Sequence, residues 1–87
     1  MKRWCLFLAR KKYAEDEAQF LKNMGYRVQF FRKKADLSQE QLAERSGLSY
    51  STISHIESTE PYPVSIVALF RIAKSLNISV HQLMMFD

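Results

Sequence analysis

Glycine and proline are scarce in this 87-residue chain, with two of each. An all-β fold needs many tight turns, and turns draw heavily on those two residues, so helices are favoured. The single cysteine, Cys5, excludes an internal disulfide, and no cysteine–histidine spacing has the form of a metal site. No apolar run approaches the length of a membrane span. There is no internal repeat, no low-complexity segment and no glycine-rich phosphate loop. Cys5, His55 and His81 fall on separate elements, and no paired carboxylates stand beside them. An enzyme is therefore not expected, nor is a cofactor.

What is present is ordinary for a folded domain: 47% hydrophobic and 25% charged residues, enough for one small domain with an extension. The net charge is +4, which permits nucleic acid as a partner without demanding it. All of the excess lies in residues 1–27, with seven basic residues against three acidic; residues 28–87 hold six of each. The opening MKRWCLFLARKK has the basic start and apolar patch of a signal peptide. Its apolar stretch is only Trp4 to Ala9, with three cations directly behind and no small-residue cleavage site, so it reads as mature sequence of a cytoplasmic protein.

Helix start signals parse the rest. Ser38-Gln39-Glu40-Gln41 is a capping box, and Gly47 supplies the positive φ that ends a helix over about Gln39–Ser46. Ser49 caps a short helix through about Ile56, Ser65 another, and Ser79-Val80-His81-Gln82 a last one. Asn77 stands where a left-handed residue closes the helix that begins at Ser65. Phe20, Met24, Val28 and Phe31 mark one face of a longer first helix ending near Lys34, with Asp36 at its stop. Between Glu57 and Ser65, Pro61 and Pro63 enforce an extended loop. The expectation is an all-α, five-helix bundle with a core of Val28, Phe31, Leu37, Leu42, Ala43, Leu48, Ile53, Ile56, Leu69, Ile72, Ala73, Leu76, Ile78 and Leu83.

The third of these helices is unusual. At about 100° per residue, with Tyr50 at zero, Ser54 lies near ~40°, Ser51 near ~100° and His55 near ~140°, whereas Ile53 and Ile56 lie near ~300° and ~240°. One side carries only isoleucine and the other small or aromatic hydrogen-bonding groups. Singly, each has a plainer reading: Tyr50 covers a turn, Ser51 and Ser54 are neutral filler, His55 is a surface histidine. Together they form a face suited to a DNA major groove.

LSQEQLAERSGLSYSTISHIE followed by ALFRIAKSLNISVHQLM resembles the helix-turn-helix domain of the xenobiotic-response-element and phage Cro/repressor type. The marks are the Gln after the first cap, the Leu-Ala pair, the Gly in the turn, the Ile-x-x-Ile-Glu ending of helix three and the A-K-S-L-N-I-S segment. They span roughly residues 18–86. The resemblance implies a lambda-repressor-like DNA-binding bundle behind an N-terminal extension of residues 1–17, acting as a transcriptional repressor on double-stranded DNA. By position, Tyr50, Ser51, Ser54 and His55 match residues that face bases. Gln39 and, less strongly, Ser49 and Thr52 match phosphate contacts. Arg32 and Glu57 match a pair that joins helix one to the end of helix three in a buried salt bridge.

Family members often place cations in the loop after helix three; Ser58-Thr59-Glu60-Pro61-Tyr62 has none, so weak nonspecific DNA affinity is expected unless the N-terminal segment helps. That segment offers first an apolar patch (Trp4, Leu6, Phe7, Leu8) that packs on the domain or on a second subunit, and second a basic arm (Lys2, Arg3, Arg10, Lys11, Lys12). Four large apolar residues within five positions argue against a third reading, a disordered tail. One short helix with four contacts is seldom selective enough alone, which calls for a homodimer on two half-sites. Its surface is expected on the last helix, at Val80, Leu83, Met84, Met85 and Phe86, together with the N-terminal segment. The rival reading is a protein-interaction module on the same fold, such as an antitoxin or regulatory subunit with a protein partner.

Overall fold

The computed structural model describes residues 13–85, and these contain five α-helices and no strand. They are α1 (Glu15–Lys34), α2 (Gln39–Ser46), α3 (Tyr50–Ile56), α4 (Ile66–Ser75) and α5 (Val80–Leu83). The expected all-α bundle is what the chain forms. Helix α1 opens at Glu15, so residues 15–17, read above as the end of the extension, are helical; the basic and apolar residues of 1–12 lie outside the described residues, as does Phe86.

Each helix is bounded by local chemistry that the sequence spells out. Acidic Glu15, Asp16 and Glu17 occupy the first turn of α1 and basic Arg32, Lys33 and Lys34 its last, matching the helix dipole at both ends. Asp36 then takes a φ of 59°, and the Leu37 N–H returns to the Arg32 carbonyl at 3.1 Å. Ser38 closes the capping box of α2: its Oγ accepts from the Gln41 N–H at 3.0 Å while Gln41 Oε1 accepts from the Ser38 N–H at 2.8 Å. Gly47 at φ 73° ends α2, Ser49 and Ser65 cap α3 and α4, and Asn77 at φ 59° terminates α4.

The core sits where α1, α2, α3 and α4 converge on Leu42, Ile53, Ile72 and Val28, with Met24, Leu69 and Ala73 around them. Phe31, Leu48, Leu76 and Ile78 pack against it from partly buried positions. Helix α5 is a single turn held down by Arg27 of α1, whose Nε and Nη2 donate to the Gln82 carbonyl at 3.2 and 3.0 Å. The same guanidinium lies 5.1 Å from the Phe31 ring centroid.

That grip corrects one expectation. Leu83, named above both for the core and for a subunit surface, is 0% exposed and belongs to the core alone. A one-turn helix has a single inward position to offer the space between α1 and α4, and Leu83 fills it. Val80 also packs partly against the core, whereas Met84 and Met85 follow the helix end and remain exposed. Among the described residues, no helix is long and apolar enough to cross a membrane.

Candidate nucleic-acid interface

Helices α2 and α3 are joined by Gly47, Leu48 and Ser49, and the turn is set by backbone geometry rather than by side-chain links. The left-handed Gly47 lets the Leu48 N–H reach back to the Ala43 carbonyl at 3.1 Å, which drives Leu48 toward the core and swings α3 across α2. Ile53 and Ile56 are buried, which leaves the opposite side of α3 outward. Tyr50, Ser51 and His55 are exposed there and Ser54 is half-buried. The four residues expected to face a ligand thus share one face with no formal charge among their neighbours on the helix.

Ser49 and Thr52 come together at the start of α3. Ser49 Oγ accepts from the Thr52 N–H at 3.0 Å and lies 2.8 Å from Thr52 Oγ1. Two hydroxyls in contact use one hydroxyl hydrogen between them, so the second is available to an outside acceptor.

Behind the face lies a buried network. Arg32 donates from Nε to Glu57 Oε2 at 2.7 Å and from Nη2 to Glu57 Oε1 at 2.9 Å, a bidentate pair whose side chains are only 9% and 1% exposed. Its Nη1 donates to the Leu37 carbonyl at 2.6 Å. The expected salt bridge is present and does more than join two helices. Gln39 Nε2 donates to Glu57 Oε1 at 3.1 Å, so one carboxylate gathers the end of α1, the start of α2 and the end of α3. Among the described residues, no buried side-chain nitrogen or oxygen lacks a partner.

The residue assigned to phosphate contact, Gln39, therefore has one amide N–H committed inward. No hydrogen bond among the described residues uses its backbone N–H or that of Glu40, which leaves two donors open at the N-terminus of an eight-residue helix. The sequence argument missed the Gln39–Glu57 link because the two residues are 18 apart and nothing local marks them as neighbours.

It also missed two features at the other end of α3. Gly25 of α1 stands against the end of this helix: a Cβ there would collide with the Ile56 carbonyl oxygen. And Tyr62, in the loop beyond, stacks on His55 with ring centroids 5.5 Å apart and planes 10° from parallel. Among the described residues, no cluster of three or more histidine, cysteine, aspartate or glutamate side chains could hold a metal ion.

Residues 28–83 match the helix-turn-helix family. An uncharacterized helix-turn-helix-type transcriptional regulator of Archaeoglobus fulgidus is 33% identical over 64 residues, which are 74% of this chain and 89% of that protein. The restriction-modification controller protein C.AhdI of Aeromonas hydrophila superposes with a TM-score of 0.68 at 35% identity, over 72% of this chain and 94% of the other. SinR, described as the master regulator for biofilm formation and solved in complex with DNA, superposes with a TM-score of 0.65 at 35% identity, over 71% and 98%. The match spans both helices of the α2–α3 unit, the buried Arg32–Glu57 pair and the core beneath them. The chain belongs to the helix-turn-helix family of DNA-binding transcriptional regulators.

Proposed function

We propose that α3 enters the major groove of double-stranded DNA and reads base edges with Tyr50, Ser51, Ser54 and His55, while Gln39, Ser49 and Thr52 meet the phosphates. The observation that carries this reading is the uncharged, outward face of α3, fixed from behind by Glu57 and its two partners. A helix presenting hydroxyls, an imidazole and a phenol offers donors and acceptors to bases without the desolvation cost of burying charge. The open N–H groups at the start of α2 and the spare hydroxyl hydrogen of the Ser49–Thr52 pair supply neutral donors to phosphate oxygens. SinR, similar to this chain, is solved on DNA, which supports the same docking here.

The active species is a homodimer, and its function is repression by occupying an operator. The apolar surface available for self-association is larger than the sequence suggested. On α4, Ile66, Val67 and Phe70 fall within about 100° of one another around the helix axis, and all three are exposed. Phe70 and Val80 border one groove between α4 and α5, and Met84 and Met85 extend the exposed apolar surface beyond α5. An apolar surface of this kind, on a domain whose single reading helix offers few contacts, fits pairing of two copies on adjacent half-sites.

Selection of the purified protein against a random duplex library, followed by salt titration, tests the reading. A two-fold symmetric sequence should be enriched, Ser51→Ala and His55→Ala should change which bases are preferred, and Gln39→Ala should weaken every site alike. A folded protein that enriches no duplex even at low salt overturns the DNA assignment and turns the search to a protein partner.

A further inference from the structure

The loop after α3 lacks the cations that would hold phosphates, yet it is tied back to the helix by hydrogen bonds and stiffened by two prolines. Ser58 closes it onto the end of α3 at His55 itself: the Ser58 N–H and Oγ–H both donate to the His55 carbonyl, at 3.2 and 2.8 Å. The Glu60 N–H donates in turn to Ser58 Oγ at 3.3 Å. Tyr62 follows between Pro61 and Pro63. A residue that precedes a proline is confined to extended backbone, and the ring of the one before it fixes its own φ, so Tyr62 sits on a stiff segment. Its side chain is half-buried and packs against the core cluster.

On that platform the Tyr62 ring lies nearly parallel to the His55 ring, with planes 10° apart and centroids 5.5 Å apart, an offset stack. A histidine at the exposed end of a helix ordinarily samples several χ1 rotamers and a broad χ2. Here one face of the imidazole is covered, and among the described residues no hydrogen bond uses either ring nitrogen. The plane of the ring is therefore held.

We infer that Tyr62 is a positioning residue for base recognition: it holds the His55 ring at a fixed angle, so that the loop contributes sequence specificity without touching a base. This rests on the reading of α3 as the base-reading helix. It accounts for a loop that is rigid but has no cation of its own. Aiming a neighbour's ring requires an anchored aromatic rather than a charge. A donor already in place also loses less freedom when it engages a base.

The test is selection against a random duplex library for the full chain, His55→Ala, Tyr62→Leu, Tyr62→Phe and the His55→Ala/Tyr62→Leu pair, each first shown to fold by thermal melting. Tyr62→Leu should flatten the preference at the base pair that His55→Ala also flattens, by roughly 2- to 10-fold, the size of an aromatic pair's contribution. Tyr62→Phe should keep that preference, since it keeps the stack and loses only the hydroxyl. In the pair, Tyr62→Leu should add nothing to the His55→Ala change at that position.

If Tyr62→Leu instead weakens all sequences equally, or if Tyr62→Phe does the same, the residue is a backbone contact or a packing residue and the inference is overturned while the α3 reading stands. If His55→Ala leaves every base preference unchanged, or the unaltered protein selects nothing, the α3 reading fails and takes this inference with it. Should Tyr62→Leu not fold, Tyr62→Trp and Tyr62→Met replace it. The first keeps a stacked ring and should keep the preference, whereas the second, which fills the packing space without a ring, should lose it. A preference unchanged in any folded variant without the ring overturns the inference.

Discussion

The side-chain amide of Gln39 lies 3.1 Å from Glu57 Oε1, so the first residue of α2 and the residue that ends α3 are hydrogen-bonded across the helix-turn-helix unit. Gln39 thus has two duties, one N–H fixing the angle between the helices and the remaining donors facing outward. Gln39→Glu separates them from a simple loss of contact. A second carboxylate beside Glu57 replaces attraction with like-charge repulsion and also meets phosphate with the wrong sign. Stability should fall by about 1–3 kcal/mol in urea denaturation, and affinity for all duplexes should fall further than in Gln39→Ala. Equal binding by the two variants would show that Gln39 faces no phosphate.

The bidentate Arg32–Glu57 pair is buried on both sides, which makes the order of removal informative. Arg32→Met leaves the Glu57 carboxylate with Gln39 alone and should cost about 3–5 kcal/mol. Arg32→Met combined with Glu57→Met removes the stranded charge and should recover a large part of that loss. In a double-mutant cycle by chemical denaturation, the pair should therefore be markedly less destabilised than the sum of its members. Additive losses would mean that Arg32 acts through its packing and its bond to the Leu37 carbonyl.

Much of this architecture is legible in the sequence because it is written in short-range chemistry. Ser38, Ser49, Ser65 and Ser79 each cap a helix, and Asp36, Gly47 and Asn77 each take the left-handed conformation at the position their neighbours predict. The 3.6-residue period of α3 alone separates Ile53 and Ile56 from the outward face. What is not legible depends on long-range approach. Gln39 meets Glu57, Arg27 meets the Gln82 carbonyl, and Tyr62 meets His55 only after the chain has folded. In the sequence Leu83 is open to both the core and a subunit surface, because periodicity over a single turn is too short to say which apolar residue there points inward. The proline pair around Tyr62 was visible, but it signals an extended loop and not the ring it aims.

Gly25 offers a test of how tightly α1 sets the position of α3. In an isolated helix Gly→Ala is favourable by about 1 kcal/mol. At this site the new methyl group would meet the Ile56 carbonyl oxygen, a backbone atom that cannot rotate away. Overpacking of this kind costs typically ~1–3 kcal/mol. Gly25→Ala should therefore lower the melting temperature by several degrees, since about 1 kcal/mol corresponds to ~4–8 °C in a domain of this size. It should also weaken operator binding in proportion to the displacement of α3. A raised melting temperature would mean that the two helices part at no cost and that Gly25 does not set their spacing.

The apolar outward face of α4 can be separated from the fold because its residues are not in the core. Phe70 is 56% exposed and lies between Val67 and Ile66 on one side and the groove toward Val80 on the other. Phe70→Glu should change monomer stability by no more than about ±0.5 kcal/mol, as is usual for exposed positions. If this face joins two copies, a carboxylate at its centre brings two like charges together across the two-fold axis and removes apolar area from both sides at once. Sedimentation equilibrium should then show a dimer for the unaltered chain and a monomer for Phe70→Glu. Binding to a single half-site should survive, while the gain in affinity from a second half-site should disappear. A Phe70→Glu protein that still sediments as a dimer would move the interface to the methionines beyond α5 or to the N-terminal segment. A chain that is monomeric without any substitution, yet binds a symmetric operator cooperatively, would place pairing on the DNA itself.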